Sequence, residues 1–312
     1  MAKCYVCEKT KESVNMKNEY FINYENLTSQ SICDYINVHT EASEITCLIP
    51  DDDEQAEQIE KIDILLRQNN FRHLGKQLIE GKIMIVFRWF RDLNDRFEDM
   101  GSFFNRRADY YDLLMSTDYP SYEVSLANIA SSIVPTNKDI YILDLGCGTG
   151  TELKYVFQKL PNAHVVCIDM SDKMLEKLCS KYIENINNIE VICASYTSIY
   201  LGIEKYDYVI ACNTLGHILK EDKFLLYKKI KTSLKKNGLL LISDYVVNDE
   251  EEINIRNRYL QLVKDGTISK DKLYHIDQTL SLNSEKEILD GAGFNNVSTK
   301  RIGDNGIEII AS

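Results

Sequence analysis

Leu143-Asp144-Leu145-Gly146-Cys147-Gly148-Thr149-Gly150 is the stretch on which the reading of this chain turns. It closes an apolar run, residues 140–145, that reads as a buried strand, and it leads into residues 152–160, which read as a helix. Glycines at such a junction permit a tight turn and close approach of a ligand to backbone, and the helix start exposes N–H groups that no internal carbonyl satisfies. The dinucleotide fingerprint Gly-x-Gly-x-x-Gly would place its third glycine at Thr151. Here the glycines fall at 146, 148 and 150, with Asp144 just ahead. That spacing favours a ligand without a pyrophosphate.

Downstream the alternation is regular. Residues 164–168 read as a strand ending at Asp169, residues 171–182 as a helix, and residues 189–194 and 206–212 as strands. Residues 220–236 form a long helical stretch with Phe224, Leu225, Tyr227, Ile230 and Leu234 near one face, Gly238 in the role of its C-cap, and a strand at 239–243. This order predicts an α/β fold, a doubly wound, mostly parallel sheet covered on both faces. The rhythm breaks at residues 248–279, with a charged helix over 249–264 and then an irregular segment. A helix at 284–291 and strands at 297–301 and 307–310 follow.

Upstream, residues 92–115 are rich in charged and aromatic side chains and read as a helical lead-in, punctuated by Pro120 and Pro135. Residues 1–100 read as a smaller N-terminal α/β domain. It has a strand at 45–49, a helix carrying Ile59, Ile62, Leu65 and Leu66, and a strand at 83–87 after Gly81. The organisation is then an accessory domain over 1–100, whose role the sequence does not disclose, and a ligand-binding domain over 101–312. Cys4-x-x-Cys7 lacks a second closely spaced pair; Cys33, His39 and Cys47 follow at loose spacings, so no metal is expected. In Phe87-Arg88-Trp89-Phe90-Arg91 a strand running to a solvated edge outweighs a base-stacking platform.

At 312 residues the chain exceeds one ordinary domain, and its 44% hydrophobic and 27% charged composition is globular. Residues 1–100 hold 12 basic and 19 acidic groups, and the whole chain carries a formal charge of -12. Neither part offers the basic surplus that grips phosphate backbones, which argues against nucleic acid as a partner. No apolar run approaches the roughly 20 residues of a membrane span, and the start of the chain lacks a secretion signal's apolar stretch. With nine cysteines, several inside apolar runs, the expectation is a cytoplasmic protein with reduced thiols, acting on a small molecule and open to homodimer formation.

These residues resemble the class I, seven-stranded S-adenosylmethionine-dependent methyltransferases over roughly residues 100–312. Asp144 to Gly150 matches the family's glycine-rich first motif and Asp169 its acidic ribose-binding position. Phe104-x-x-x-Ala108-x-x-Tyr111-Asp112 resembles the lead-in helix whose tyrosine sits near the cofactor. Residues 206–217 look like the fourth strand and its loop, and residues 235–239 like the turn into the fifth. Residues 274–280 are similar to a bacterial subgroup that includes the carboxy-S-adenosylmethionine synthases. The resemblance implies a seven-stranded sheet, S-adenosylmethionine as cofactor, and cofactor contacts from Asp144, Gly146, Cys147, Gly148, Gly150, Asp169, Met170, Ser195 and Asn213. The chain departs from the family where an acidic residue often follows the third strand, since Ser195 stands there, and where relatives pair two histidines, since it has Gly216-His217.

Methyl transfer from a sulfonium needs positioning and desolvation more than activation, with a base added when the acceptor must lose a proton. His217 is the candidate base, or else a capping or packing histidine. Asp244 at the rim either orients an acceptor or pairs with a lysine, Tyr111 completes the candidate catalytic set, and His275 and Asp277 read as lid residues. Asp169 either holds the ribose or simply caps the next helix. Besides methyl transfer, two readings stand: a carboxy-S-adenosylmethionine synthase drawing a cation from Arg106, Arg107, Arg256 or Arg258, and a regulatory protein that binds the cofactor without transfer.

Overall fold

Strand and helix alternate through the computed structural model, which describes residues 19–23, 44–50, 56–69, 71–78, 84–90, 97–119 and 121–312. The chain divides into two units, Met1–Arg96 and Phe97–Ser312. In the first, β1 (Glu19–Asn23), β2 (Glu44–Pro50), α1 (Ala56–Gln68), β3 (Arg72–Leu78) and β4 (Met84–Phe90) make a sheet of order β1-β2-β4-β3 with one helix. β1 pairs parallel with β2 and the other two pairings are antiparallel. Ile62 and Leu66, one turn apart on α1, are buried, as are Ile45 and Phe71. The sequence predicts β2, α1 and β4. It misses β1 and β3, whose Glu-Tyr-Phe-Ile-Asn and Arg-His-Leu-Gly-Lys-Gln-Leu lack a clean apolar alternation. β4 is an interior strand of this sheet. Cys4, Cys7, Cys33 and His39 lie outside the described residues.

The second unit opens with α2 (Met100–Arg107), α3 (Tyr111–Asp118) and α4 (Tyr122–Ser131). It continues through β5 (Tyr141–Leu145), α5 (Leu153–Lys159), β6 (His164–Asp169), α6 (Asp172–Lys181), β7 (Ile189–Cys193) and β8 (Tyr206–Cys212). Then come α7 (Lys220–Ser233), β9 (Leu234–Tyr245), α8 (Asp249–Lys264), α9 (Leu282–Gly291), β10 (Val297–Ile302) and β11 (Gly306–Ala311). The seven strands form one sheet of order β10-β11-β9-β8-β5-β6-β7. Only the pairings of β11 with β9 and with β10 are antiparallel. β5, β6 and β8 are buried almost end to end, as parallel strands covered on both faces must be. One face packs on Tyr227, Ile230, Leu289 and Phe294, the other on Ile129, Ile133, Leu153, Val156 and Leu178.

Chain order reverses between β5 and β8. The crevice at their carboxyl ends is where open α/β sheets take ligands. Two expectations are corrected. The division falls after Arg96 rather than at residue 100, because Glu98 and Asp99 already bond within the second unit: His275 N donates to the Glu98 carbonyl at 3.0 Å, and Asp99 caps α2 by accepting from Ser102 N at 3.0 Å. Gly238 is not a helix cap. α7 stops at Ser233, where Leu234 N donates to Ile230 O, and Gly238 lies inside β9. A Cβ there would stand 2.9 Å from the carbonyl oxygen of Tyr206, beside a register shift between β8 and β9. Among the described residues no helix is long and apolar enough to cross a membrane.

Candidate active site

The glycine loop leaves β5 with a left-handed backbone at Gly146, φ 64°, and its N–H donates to the Ile168 carbonyl at 2.8 Å. A Cβ on Gly146 would sit 2.0 Å from Thr214 Oγ1, so only hydrogen fits. Gly148, φ 50°, has the opposite surroundings: a Cβ there meets nothing within 4 Å, because the residue faces an open cleft. Its N–H donates to Asp169 Oδ2 at 2.9 Å, while Asp169 Oδ1 accepts from Ser171 N at 2.8 Å. The cap of α6 is Ser171 itself, whose Oγ accepts from Met174 N at 3.1 Å, so capping does not account for Asp169. Burial pushes the Asp169 carboxyl up, and the N–H groups of Ser171 and Gly148 pull it back down. Each carboxylate oxygen keeps a second acceptor position, enough for two hydroxyls presented from the cleft.

Eight of the residues singled out from sequence line this cleft: Tyr111, Gly146, Gly148, Asp169, Met170, Ser195, Asn213 and His217. Asn213 sits at φ 50°, a conformation asparagine tolerates, at the carboxyl end of β8. Ser195 shares a 2.7 Å hydrogen bond with Thr197 Oγ1, and both line the cleft. Asp144, Cys147, Gly150 and Asp244 do not line it. Cys147 and Gly150 pack downward, the thiol into the core and the glycine against Leu178. Asp144 is fully buried under the loop and faces the carboxyl of buried Glu152. No backbone or neutral side-chain donor reaches either Asp144 oxygen, so the donor this pair needs is a proton held between the two acids. Phe104 of the lead-in motif lines it as well, and sequence reasoning missed Met100, Tyr196, Thr214 and Leu273, which also line the cleft. Tyr196 and Thr214 adjoin recognised strand-end positions; nothing local marks Met100 or Leu273.

His217 ends a 3-10 turn, Leu215–His217, which Asp244 holds in place: its Oδ2 accepts from Leu215 N at 2.8 Å and its Oδ1 from Tyr245 N at 2.8 Å. Asp244 is therefore a positioning residue. Burial lowers the imidazole of His217, against the upward pull of Asp244, Ile276 backbone and Asp277. A second histidine ring reaches His217 from further along the chain. The His275 ring lies 4.4 Å from that of His217 and stacks on Phe103 at 3.4 Å, and the Arg107 guanidinium covers the other face of Phe103 at 3.6 Å. Residues 273–281 form a strap rather than a loose lid. Met100 N donates to Leu273 O at 2.9 Å, Gln278 N to Gly216 O at 2.7 Å, and Val247 N to Leu280 O at 3.2 Å.

Helices α2 and α3 close the cleft from the glycine-loop side through polar contacts. Ser171 Oγ donates to Asn105 Oδ1 at 2.5 Å, and Lys177 pairs with Asp109 at 2.6 Å. Asp112 accepts from Thr149 and from Thr151 on the loop and pairs with Lys181 at 2.7 Å. Phe104 and Tyr111 hang from these helices into the cleft, their rings 6.0 Å apart. Burial and the nearby Glu152 and Asp169 raise the Tyr111 phenol, which stays protonated.

Residues 142–238, the span from β5 into β9, match the model of the family described as "Methyltransferase domain". Among curated relatives, the carboxy-S-adenosyl-L-methionine synthase of Glaesserella parasuis is 24% identical over 155 residues, 47% of this chain and 62% of that protein. The malonyl-[acyl-carrier protein] O-methyltransferase of Acetivibrio thermocellus is 29% identical over 144 residues, 46% of this chain and 47% of that protein. A crystal structure from Nostoc punctiforme, provisionally named an O-methyltransferase, superposes with a TM-score of 0.51 at 20% identity, covering 69% of this chain and 61% of the other. The match spans less than two thirds of the length of each.

Proposed function

We propose, from the premise that this chain carries a class I S-adenosylmethionine-dependent methyltransferase domain, that it moves a methyl group from that cofactor to a small-molecule acceptor in the cytoplasm. One observation carries the reading: Asp169 holds Gly148 N–H at the switch point of the sheet, with acceptor capacity left on both oxygens. The cleft fits an adenosyl group. Gly148 leaves open space where a side chain would intrude, Asp169 meets ribose hydroxyls, and Met170 and Met174 offer apolar walls to a base. When bound, the cofactor supplies an electrophilic methyl on sulfur. The chain's own residues do the rest. His217, kept neutral by burial, is available to take a proton from the acceptor; Tyr111 stays a hydrogen-bond donor; α2, α3 and the strap exclude water. Arg106 and Arg107 face Glu98, and Arg256 is bound to Glu221, so these three arginines are already committed, and a carboxylate-bearing cofactor would draw on Arg258.

Calorimetry on the full chain tests the reading. S-adenosylmethionine and S-adenosylhomocysteine should both bind, and Asp169→Ala should weaken them ten- to a hundred-fold, about 1.5–3 kcal/mol for lost charge-assisted bonds. A wild-type chain that binds neither compound ends the proposal. Transfer of labelled methyl into a small-metabolite extract then separates an enzyme from a cofactor-binding regulator.

A further inference from the structure

The turn that follows β7, residues 194–198, gives Ser195, Tyr196 and Thr197 to the wall of the cofactor cleft. Its backbone is tied at two points: Ala194 N donates to the carbonyl of Asp169 at 2.9 Å, and Ser198 N to that of Ser195 at 3.0 Å. The carbonyls of Tyr196 and Thr197 receive no backbone N–H among the described residues. One side chain that does not itself line the cleft takes both of them. The Lys229 ammonium of α7 donates to Tyr196 O at 3.1 Å and to Thr197 O at 3.0 Å. Lys229 is half-buried and has no acid beside it among the described residues; burial lowers its ammonium from the usual lysine value and nothing counters that. Lys220 and Lys223 of the same helix differ, each pairing with a glutamate of α9. Withdrawing an ammonium from water is costly unless hydrogen bonds offset it, and at Lys229 the two carbonyls supply them.

The same turn is tied a second time, across the cleft. The Tyr196 hydroxyl donates to the Thr214 carbonyl at 3.0 Å, which leaves its oxygen to accept from the Thr214 hydroxyl at 3.0 Å. Thr214 in turn rests on the glycine loop, where its Oγ1 fills the space a Cβ on Gly146 would need. Lys229, the turn, Tyr196, Thr214 and Gly146 are therefore one unbroken series of contacts, and a shift of the turn reaches both walls of the cleft. We infer that Lys229 is a positioning residue for the cofactor: from outside the cleft it holds the Tyr196 and Thr197 carbonyls, and so sets the Ser195–Thr197 wall and, through Thr214, the glycine loop opposite. The inference rests on the S-adenosylmethionine reading of the cleft.

Calorimetry on the full chain with S-adenosylhomocysteine, well below the melting temperature, provides the test. Lys229→Met and Lys229→Leu keep an apolar side chain and remove only the charge and its donors, and each should weaken binding at least five-fold. Lys229→Arg, whose guanidinium carries several N–H donors, should bring affinity back to within about two-fold of wild type. Lys228→Met removes the same charge one residue away, from a side chain that lies over the Phe224 ring, and should also stay within about two-fold. Losses below five-fold in both Lys229→Met and Lys229→Leu, whatever their melting temperatures, would make the lysine a structural staple and overturn the inference. An equal loss in Lys228→Met, or a loss that Lys229→Arg leaves in place, would overturn it too. In each of these cases the wild-type chain still binds, and the cofactor reading stands. If wild type binds no S-adenosylhomocysteine, the cofactor reading itself falls and takes this inference with it.

Discussion

Asp144 shows how one residue in a recognisable motif can sit beneath a cleft without lining it. Its carboxyl and that of Glu152 are buried together, and burial lifts both above the ordinary carboxylate range, Asp144 the more so with a second acid beside it. An acid whose folded-state pKa is raised stabilises the fold fully below its unfolded value, near pH 4, and loses that contribution as pH rises through the folded value. The glycine loop rests on this pair, so the protein should lose melting temperature as pH is raised from the acid side towards neutrality and beyond. Asp144→Asn, which cannot ionise, should flatten that slope. Melting curves from pH 5 to 9 check it, and identical slopes for wild type and variant would remove the shared proton. Strand periodicity could not reveal this role. Alternation places Asp144 on one face of β5, yet whether that face looks into the cleft or under the loop depends on where the chain turns after Leu145.

At the scale of elements, Gly238 and Asp112 support separate predictions. Adding one methyl in Gly238→Ala forces β9 off the Tyr206 carbonyl, an overpacking cost of about 1–3 kcal/mol, measurable by urea unfolding. An unchanged midpoint would mean that the β8–β9 bulge can relax freely. Asp112, by contrast, is exposed, and its link to Lys181 and the loop threonines belongs to the closure of α3 on the cleft. Exposed pairs contribute little to stability, so Asp112→Ala should barely move the melting point. It should raise the release rate of S-adenosylhomocysteine several-fold in stopped-flow chase, and an unaltered rate would show that α3 does not gate the cleft. The core strands and the strand-end residues Asp169, Ser195 and Asn213 that line the cleft were legible because buried parallel strands write themselves as continuous apolar runs, and their carboxyl ends follow by counting. His275 and Gln278 reach the site only because the strap doubles back from beyond α8 to bond Glu98 and Gly216. No local periodicity encodes that return.

For the whole molecule the question is where the ligand-binding unit can be cut free. Its sheet is complete within Phe97–Ser312, and both layers of its core are drawn from that span, so a chain beginning at Phe97 should fold cooperatively and bind S-adenosylhomocysteine within about three-fold of the full-length protein. A start at residue 101, where the sequence pattern drew the line, is predicted to behave differently. It deletes Glu98, whose buried carboxylate lies 3.2 Å from the equally buried guanidinium of Arg107, and whose carbonyl accepts from His275 N. It also deletes Asp99, the cap of α2. An Arg left buried without its partner costs about 3–5 kcal/mol, and a lost cap about 1 kcal/mol more. The shorter fragment should therefore melt well below the longer one and lose affinity, because Arg107 backs the Phe103–His275–His217 stack that joins α2 and the strap to the cleft. Comparing the two fragments by thermal melting and calorimetry decides the matter. If they match, the four residues between Phe97 and Met100 add nothing, and the stack is held by the strap alone.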